Sequence, residues 1–547
     1  MRYLIFFVAL VIASPLEERG GHEKKLCCNV KISPDQIPTI SAPMPVYTTC
    51  DFVAVPQDYL DDIISNISPG TQLESFGTSG ASAAFDDGTL IAFVRPDTGE
   101  SRAFPLLECL KPGCDLTDKA MSAAQQFAQN QDLFPPDDTE LVVLPPTTLS
   151  GSTSNCQGNA TAPEQFLGFA KLQRQINGYP VEGPGFQAAI AVDDSGCIKA
   201  FAHRYRAAFA SSQTIVPHCP EDVVNSIIED LNDTCTRVNV TIDQVLVKYF
   251  DSGTGFIQPV YTYQGSIPSS NASTTSQLTG SISIGTSSQA IEPVPSTNYP
   301  SNAPAGFYRR RGTGINVGRY VVRADSLEWL DSATAFLSNL QLASTYGGTL
   351  SFIDDQYLAA TPDMFITDKN SYVNSVQIAL NEVHGNWWEF TTYKNDGDIV
   401  TLQEIAAVGG LGSNANGSLA YWVLHSCEVI PTQTDESNSF DIWWQLFKGL
   451  HSVVGYRTEM YIGDGVTTNF GLWVGLGAPI VSSWIVEIAT DNDYGGSDAF
   501  YFDANRQITE PLGRASAVSV CGHLDDTACE VQGLANPSCL VEMWLDN

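Results

Sequence analysis

Two strings in the second half of the chain carry side chains that could do chemistry together. Residues 376–383 form an apolar, strand-like run that ends in His384-Gly385, and residues 419–424 form another that ends in His425-Ser426-Cys427. An imidazole beside a thiol draws off its proton and leaves a thiolate, which is the attacking form. His384 and Cys427 each sit just past the C-terminal end of a buried strand, where open α/β sheets place their sites. Their separation of 43 residues leaves room for a crossover between neighbouring parallel strands.

The succession of apolar strand, His-Gly, crossover, apolar strand, small residue and Cys resembles the caspase, legumain and gingipain clan of cysteine peptidases. That resemblance implies that His384 carries the proton and Cys427 attacks the scissile carbonyl. It also implies that the backbone amides of Gly385 and Cys427 hold the oxyanion. Ser426 departs from the pattern, which most often has Ala there, and no pocket signature specifies the residue preferred before the cut. With Trp387-Trp388, Trp443-Trp444 and Gly449-Leu450-His451, the C-terminal region is similar to a poorly characterised family of secreted caspase-like domains.

Other readings stand beside these. Cys427 could be a disulfide partner and His384 a hydrogen-bonded core histidine. His425 and His451 read as structural, the latter ending a helix from Asp441 where its charge would suit the dipole. The tryptophans read as core or cleft lining. Residues 491–498, Asp-Asn-Asp-Tyr-Gly-Gly-Ser-Asp, offer oxygen ligands that could hold calcium, although their spacing is not that of an EF-hand. No other metal or cofactor is expected. His-Glu-x-x-His and G-x-S-x-G are absent from the sequence, which weakens metalloprotease and serine hydrolase readings.

The elements expected around His384 and Cys427 are helices over 331–342 and 439–451 and a strand over 453–456. They make residues 312–547 an α/β domain with a mostly parallel sheet. Upstream, D-x-G turns recur at Asp86-Asp87-Gly88, Asp97-Thr98-Gly99 and Asp193-Asp194-Ser195-Gly196. Helices are expected over 118–131 and 220–231. The string Asn177-Gly178-Tyr179-Pro180-Val181-Glu182-Gly183 resembles PepSY and propeptide-type modules that precede secreted metalloproteases. The resemblance implies an α+β region over 40–150 and 151–263 that chaperones and inhibits the domain downstream of it.

Residues 264–311 are rich in Ser, Thr, Pro, Asn and Gly and read as an exposed linker. It ends in Arg309-Arg310-Arg311, three cations that suit a processing protease and would otherwise be a solvated patch. The apolar N-terminus reads as a signal peptide over 1–14. Localisation is therefore expected to be secreted and extracellular, with no membrane span; residues 472–488 are too interrupted to be one and read as buried core.

Glycosylation sequons at Asn66, Asn159, Asn232, Asn239, Asn271 and Asn416 fit export. A net charge of −34 over 547 residues opposes nucleic acid as a partner. Thirteen cysteines leave at least one unpaired within a monomer. If that one is Cys427, nine lie before it and three after, and full pairing requires a bridge between the two groups. Cys109 with Cys114 and Cys219 with Cys235 are plausible local pairs. The expected function is a secreted caspase-like cysteine endopeptidase, made as a zymogen, acting on a peptide or protein substrate and inhibited by its own propeptide-like region. The alternative is a catalytically inactive relative that binds partners outside the cell.

Overall fold

The structure is a computed structural model and describes residues 29–77, 80–234, 239–268, 275–286, 307–309, 314–322, 327–358, 360–392, 398–460, 465–491, 500–502 and 508–546. The expected signal peptide lies outside them, as do Arg310, Arg311 and Asn271. Asn159, Asn239 and Asn416 are exposed and Asn66 is half-buried.

The C-terminal half is mixed α/β. Strand Ile315–Val321 pairs in parallel with Phe352–Leu358 on one side and with Ile378–Glu382 on the other. Ile378–Glu382 pairs in parallel with Tyr421–His425, and that strand with Ser452–Tyr456. Ile378–Glu382, Tyr421–His425 and Ser452–Tyr456 are buried along their whole length, as strands covered on both faces are. Helix Leu327–Tyr346 makes the first crossover.

The expectation of a mostly parallel sheet is corrected by the strands beyond Ser452–Tyr456. That strand pairs antiparallel with Ala515–Val520, which pairs antiparallel with Cys539–Leu545. Cys539–Leu545 then pairs antiparallel with Thr147–Asn155, a strand of the N-terminal half. From there the sheet continues antiparallel through Glu164–Ile176, Gln187–Val192, Ile198–Arg204, Glu100–Ala103, Thr89–Arg95 and Ala81–Asp86. Within the N-terminal half, tight hairpins hold neighbouring strands antiparallel. Asp87-Gly88 and Asn177-Gly178 turn with φ of 46° and 87°, and of 52° and 79°, the left-handed pairs of tight hairpins. Two-residue hairpins can only join antiparallel strands.

The N-terminal half therefore shares a sheet with the C-terminal half, and Thr147–Asn155 runs straight through the boundary expected at 150/151. The halves also share a core. Helix Gly465–Leu476 is buried on every face from Phe470 onward, and every residue of Ile480–Thr490 is buried. Trp473 meets Phe93 and Phe104 at ring-centroid distances of 6.0 and 5.5 Å, while Leu90 N–H donates to Gly477 O at 2.9 Å. On the opposite side, Trp484 Nε1–H donates to Gly455 O at 2.8 Å.

A buried ion pair crosses the same seam. The Arg102 guanidinium lies 3.2 Å from the Glu487 carboxylate and 2.7 Å from Thr490 Oγ1. Burial pushes the Glu487 carboxyl up, with Arg102 opposing. Separating the halves would bare these helices at roughly 1.5–3 kcal/mol per large apolar side chain. It would also leave Glu487 uncompensated. An inhibitory propeptide that simply departs does not fit such a seam.

The expected linker is also partly structured. Thr275–Ser283 pairs antiparallel with Phe256–Pro268, and Ile282 and Ile284 are buried. The alternation of Ser or Thr with Ile in this stretch has the period of a half-buried strand, which its polar composition hides. Phe307–Arg309 pairs antiparallel with Phe352–Leu358, so the tribasic string begins within a paired strand.

Helix expectations fare better. Those over 118–131, 220–231 and 331–342 correspond to Leu116–Ala128, Pro220–Thr234 and Leu327–Tyr346. The helix expected over 439–451 is shorter, Phe440–Leu446, because Phe447 is extended with ψ of 94° and Lys448 N–H donates to Leu411 O at 2.9 Å.

Candidate functional site

Register places the two reactive strings side by side. Glu382, the last residue of its strand, faces His425, the last residue of the next. Two residues further on, His384 and Cys427 leave the same edge of the sheet. The strings meet through Gly385. A Cβ built there would lie 2.2 Å from Ser426 Oγ, 2.4 Å from the Cys427 carbonyl oxygen and 2.4 Å from Val429 Cγ2. Any other residue would force the two strand ends apart, so a side chain of hydrogen is needed at this position.

Cys427 is a reduced thiol, 6% exposed, and donates to the Met460 carbonyl at an Sγ···O distance of 3.6 Å. The next residue, Glu428, has φ of 53°, and its N–H donates to Thr458 O at 3.1 Å. A left-handed conformation at a residue with a Cβ costs roughly 1–3 kcal/mol. The Ser426 hydroxyl is buried with no hydrogen-bond partner, a further cost of the order of 1–3 kcal/mol. Strain and an unsatisfied hydroxyl thus flank the thiol on both sides.

His384 is half-buried and sits edge-on to Trp329 of helix Leu327–Tyr346, with ring centroids 4.7 Å apart. Its carbonyl accepts from Thr391 N–H at 2.9 Å, which anchors the hairpin Gly385–Asn386 to Glu389–Thr392. Trp387 at the tip of that hairpin is 39% exposed, and Trp388 turns left-handed with φ of 58°.

Glu382 does not stand out in the sequence, yet it joins the two strings. Its Oε2 lies 2.6 Å from His425 Nδ1, and its Oε1 accepts from Ser332 Oγ at 2.7 Å. Ser332 in turn meets Thr467 Oγ1 at 2.7 Å. The His425 ring packs against Tyr456 and Trp484 at 5.8 and 6.3 Å. This buried carboxylate and imidazole tie the two strand ends together directly beneath His384 and Cys427. The available signal is Asn381-Glu382, two polar residues at the end of an apolar run.

A family described as Domain of unknown function (DUF6345) matches residues 338–508. His384 and Cys427 both fall inside it. The match covers less than half of the chain, and its description names no activity. No curated protein matches. Among solved structures, a crystal structure of an uncharacterized protein from Eubacterium rectale is similar over 48% of this chain and 90% of its own. That similarity comes at 10% identity and a TM-score of 0.27, too low to support an argument.

Other expected sites are placed apart from this edge. His451 directly precedes strand Ser452–Tyr456, at the opposite end of the parallel strands, rather than ending a helix. Of the suggested calcium turn, residues 492–498 lie outside the described residues. Among the described residues no helix is long and apolar enough to cross a membrane.

The cysteine expectations need correction. Cys521 and Cys539 form a disulfide with Cα atoms 5.4 Å apart, because they flank the facing ends of Ala515–Val520 and Cys539–Leu545. Cys109, Cys114, Cys219 and Cys529 are reduced. Two of the C-terminal three thus pair with each other and Cys529 is left over, so the bridge between halves expected from counting is not formed among the described residues; Cys27, Cys28 and Cys235, the expected partner of Cys219, lie outside them. Continuous sheet and shared core join the halves instead.

Proposed function

We propose that this chain is a secreted caspase-like cysteine endopeptidase in which His384 and Cys427 act as a dyad on a peptide or protein substrate. The observation that carries the reading is the parallel pairing of Ile378–Glu382 with Tyr421–His425, closed through Gly385. It puts an imidazole and a thiol at the ends of adjacent strands, as the resemblance to the clan requires. His384 takes the proton from Cys427 Sγ, and the thiolate attacks the scissile carbonyl carbon. The amides of Gly385 and Cys427 hold the resulting oxyanion. His384 then protonates the departing amine, and water hydrolyses the thioester with His384 as base.

The burial of Cys427 describes a latent state, in which a substrate must displace the Met460 carbonyl to reach the thiol. Cutting at Arg309-Arg310-Arg311 would then give a two-chain molecule whose halves stay joined, with activation by local rearrangement rather than release. The same burial favours a second reading, a catalytically inactive relative that binds partners. Turnover of a peptide library by the purified chain, before and after a cut near Arg311, separates the two. Cys427→Ala and His384→Ala should each abolish turnover without unfolding the protein. Undiminished turnover in Cys427→Ala removes the dyad.

A further inference from the structure

His451, His523 and Asp526 converge from distant parts of the chain at the N-terminal end of the parallel strands. One ligand-type atom from each lies within 4.8 Å of the others. His451 is buried, and its Nε2 is 2.7 Å from the Gln532 carbonyl oxygen. A carbonyl only accepts, so Nε2 carries the proton and the Nδ1 of a neutral ring is left with its lone pair. That lone pair faces Asp526 Oδ2 at 2.5 Å. His523 Nδ1 faces the same oxygen at 2.9 Å. Two imidazole nitrogens and one carboxylate oxygen therefore point at one another, and a positive charge is needed among them.

Either an extra proton or a metal ion can supply that charge. Several features favour the ion. A backbone carbonyl fixing the far nitrogen of a buried histidine is the usual outer arrangement of a metal ligand. The Tyr421 hydroxyl, 3.5 Å from His451 Nδ1, lies 2.8 Å from the carbonyls of both Thr527 and Glu530, which holds the loop in shape beside the cluster. The loop carrying His523 and Asp526 is closed by the Cys521–Cys539 disulfide, which limits the entropy lost on binding. His523 remains about a third exposed, so water can complete the coordination.

We propose that these three residues bind one divalent transition-metal ion of the zinc class, through His451 Nδ1, His523 Nδ1 and Asp526 Oδ2. Zinc bonds of about 2.0–2.1 Å in tetrahedral geometry put donors roughly 3.4 Å apart, so Asp526 swings back by about 1 Å on binding. Binding releases whatever proton His451 and Asp526 share. The site stands at the far end of the strands from Cys427, so it fastens the loop to the sheet and takes no part in the dyad chemistry.

The full secreted chain, stripped with EDTA and titrated with Zn²⁺ against a chromogenic chelator, should bind one ion per chain. His523→Ala and Asp526→Asn should each weaken binding roughly 100-fold while the circular dichroism spectrum stays unchanged. Co²⁺ in place of Zn²⁺ should give visible absorption bands that His523→Ala abolishes. Less than one ion per chain would overturn the proposal and leave a protonated His451 as the bridging charge. Equal affinity in both variants would overturn it too, assigning the metal to the acidic surface. Neither readout depends on peptidase activity, so failure here leaves the dyad untouched, and the converse.

Discussion

The two ends of the same parallel strands are built in opposite ways. At the N-terminal end, the His451, His523 and Asp526 cluster and the Cys521–Cys539 bridge fasten a loop to the sheet. At the C-terminal end, a left-handed Glu428 and an unpartnered Ser426 hydroxyl bracket Cys427. Just beneath, Glu382 and His425 clamp the strand ends. A sheet fastened at one end can carry strain at the other, and strain held by a well-packed scaffold is what functional sites show.

Substitutions at the two ends should therefore separate activity from stability. Gly385→Ala should have the largest effect, because its methyl group overlaps Ser426 Oγ and the Cys427 carbonyl. Essentially all turnover should vanish while the protein still folds, as read by peptide hydrolysis beside circular dichroism. Near-normal turnover would mean that the two strings need not touch. Replacing Cys521 and Cys539 together by Ser should act at the other end. It should lower stability by about 3 kcal/mol through the 18-residue separation that it frees, and leave turnover per folded molecule unchanged. Chemical denaturation measures the first and active-site titration the second. A parallel fall in turnover would break the independence of the ends. The smallest effect is expected from Glu428→Gly, which relieves the left-handed conformation. It should add up to about 1 kcal/mol of stability while slowing turnover, since Cys427 is then less firmly held. A loss of stability would show that Glu428 is held by contacts worth more than its strain.

Local patterns are legible in the sequence and non-local ones are not. The apolar runs before His384 and Cys427 announce buried strands, whereas the close approach at Gly385 emerges only once the two strands pair. Glu382 is hidden inside one such run because its partners, His425 and Ser332, lie 43 and 50 residues away. The joint between halves is illegible for the same reason. Thr147–Asn155 is mostly Thr, Ser and Gly and lacks an apolar strand pattern, yet it is held by Cys539–Leu545 across nearly 400 residues. Counting cysteines cannot tell a local bridge from a distant one. The pairing of Cys521 with Cys539 depends on strand register, which appears only once the sheet is assembled.

The central claim is that His384 activates Cys427. Its most direct measurement is the rate at which a peptide carrying a thiol-reactive group labels the folded protein after a cut near Arg311, with the modified residue located by mass spectrometry. Cys427 should label first, faster than the exposed thiols of Cys50, Cys109 or Cys529, and His384→Ala should slow that labelling while leaving theirs alone. Labelling confined to the exposed cysteines, or an unchanged rate at Cys427 in His384→Ala, would contradict it.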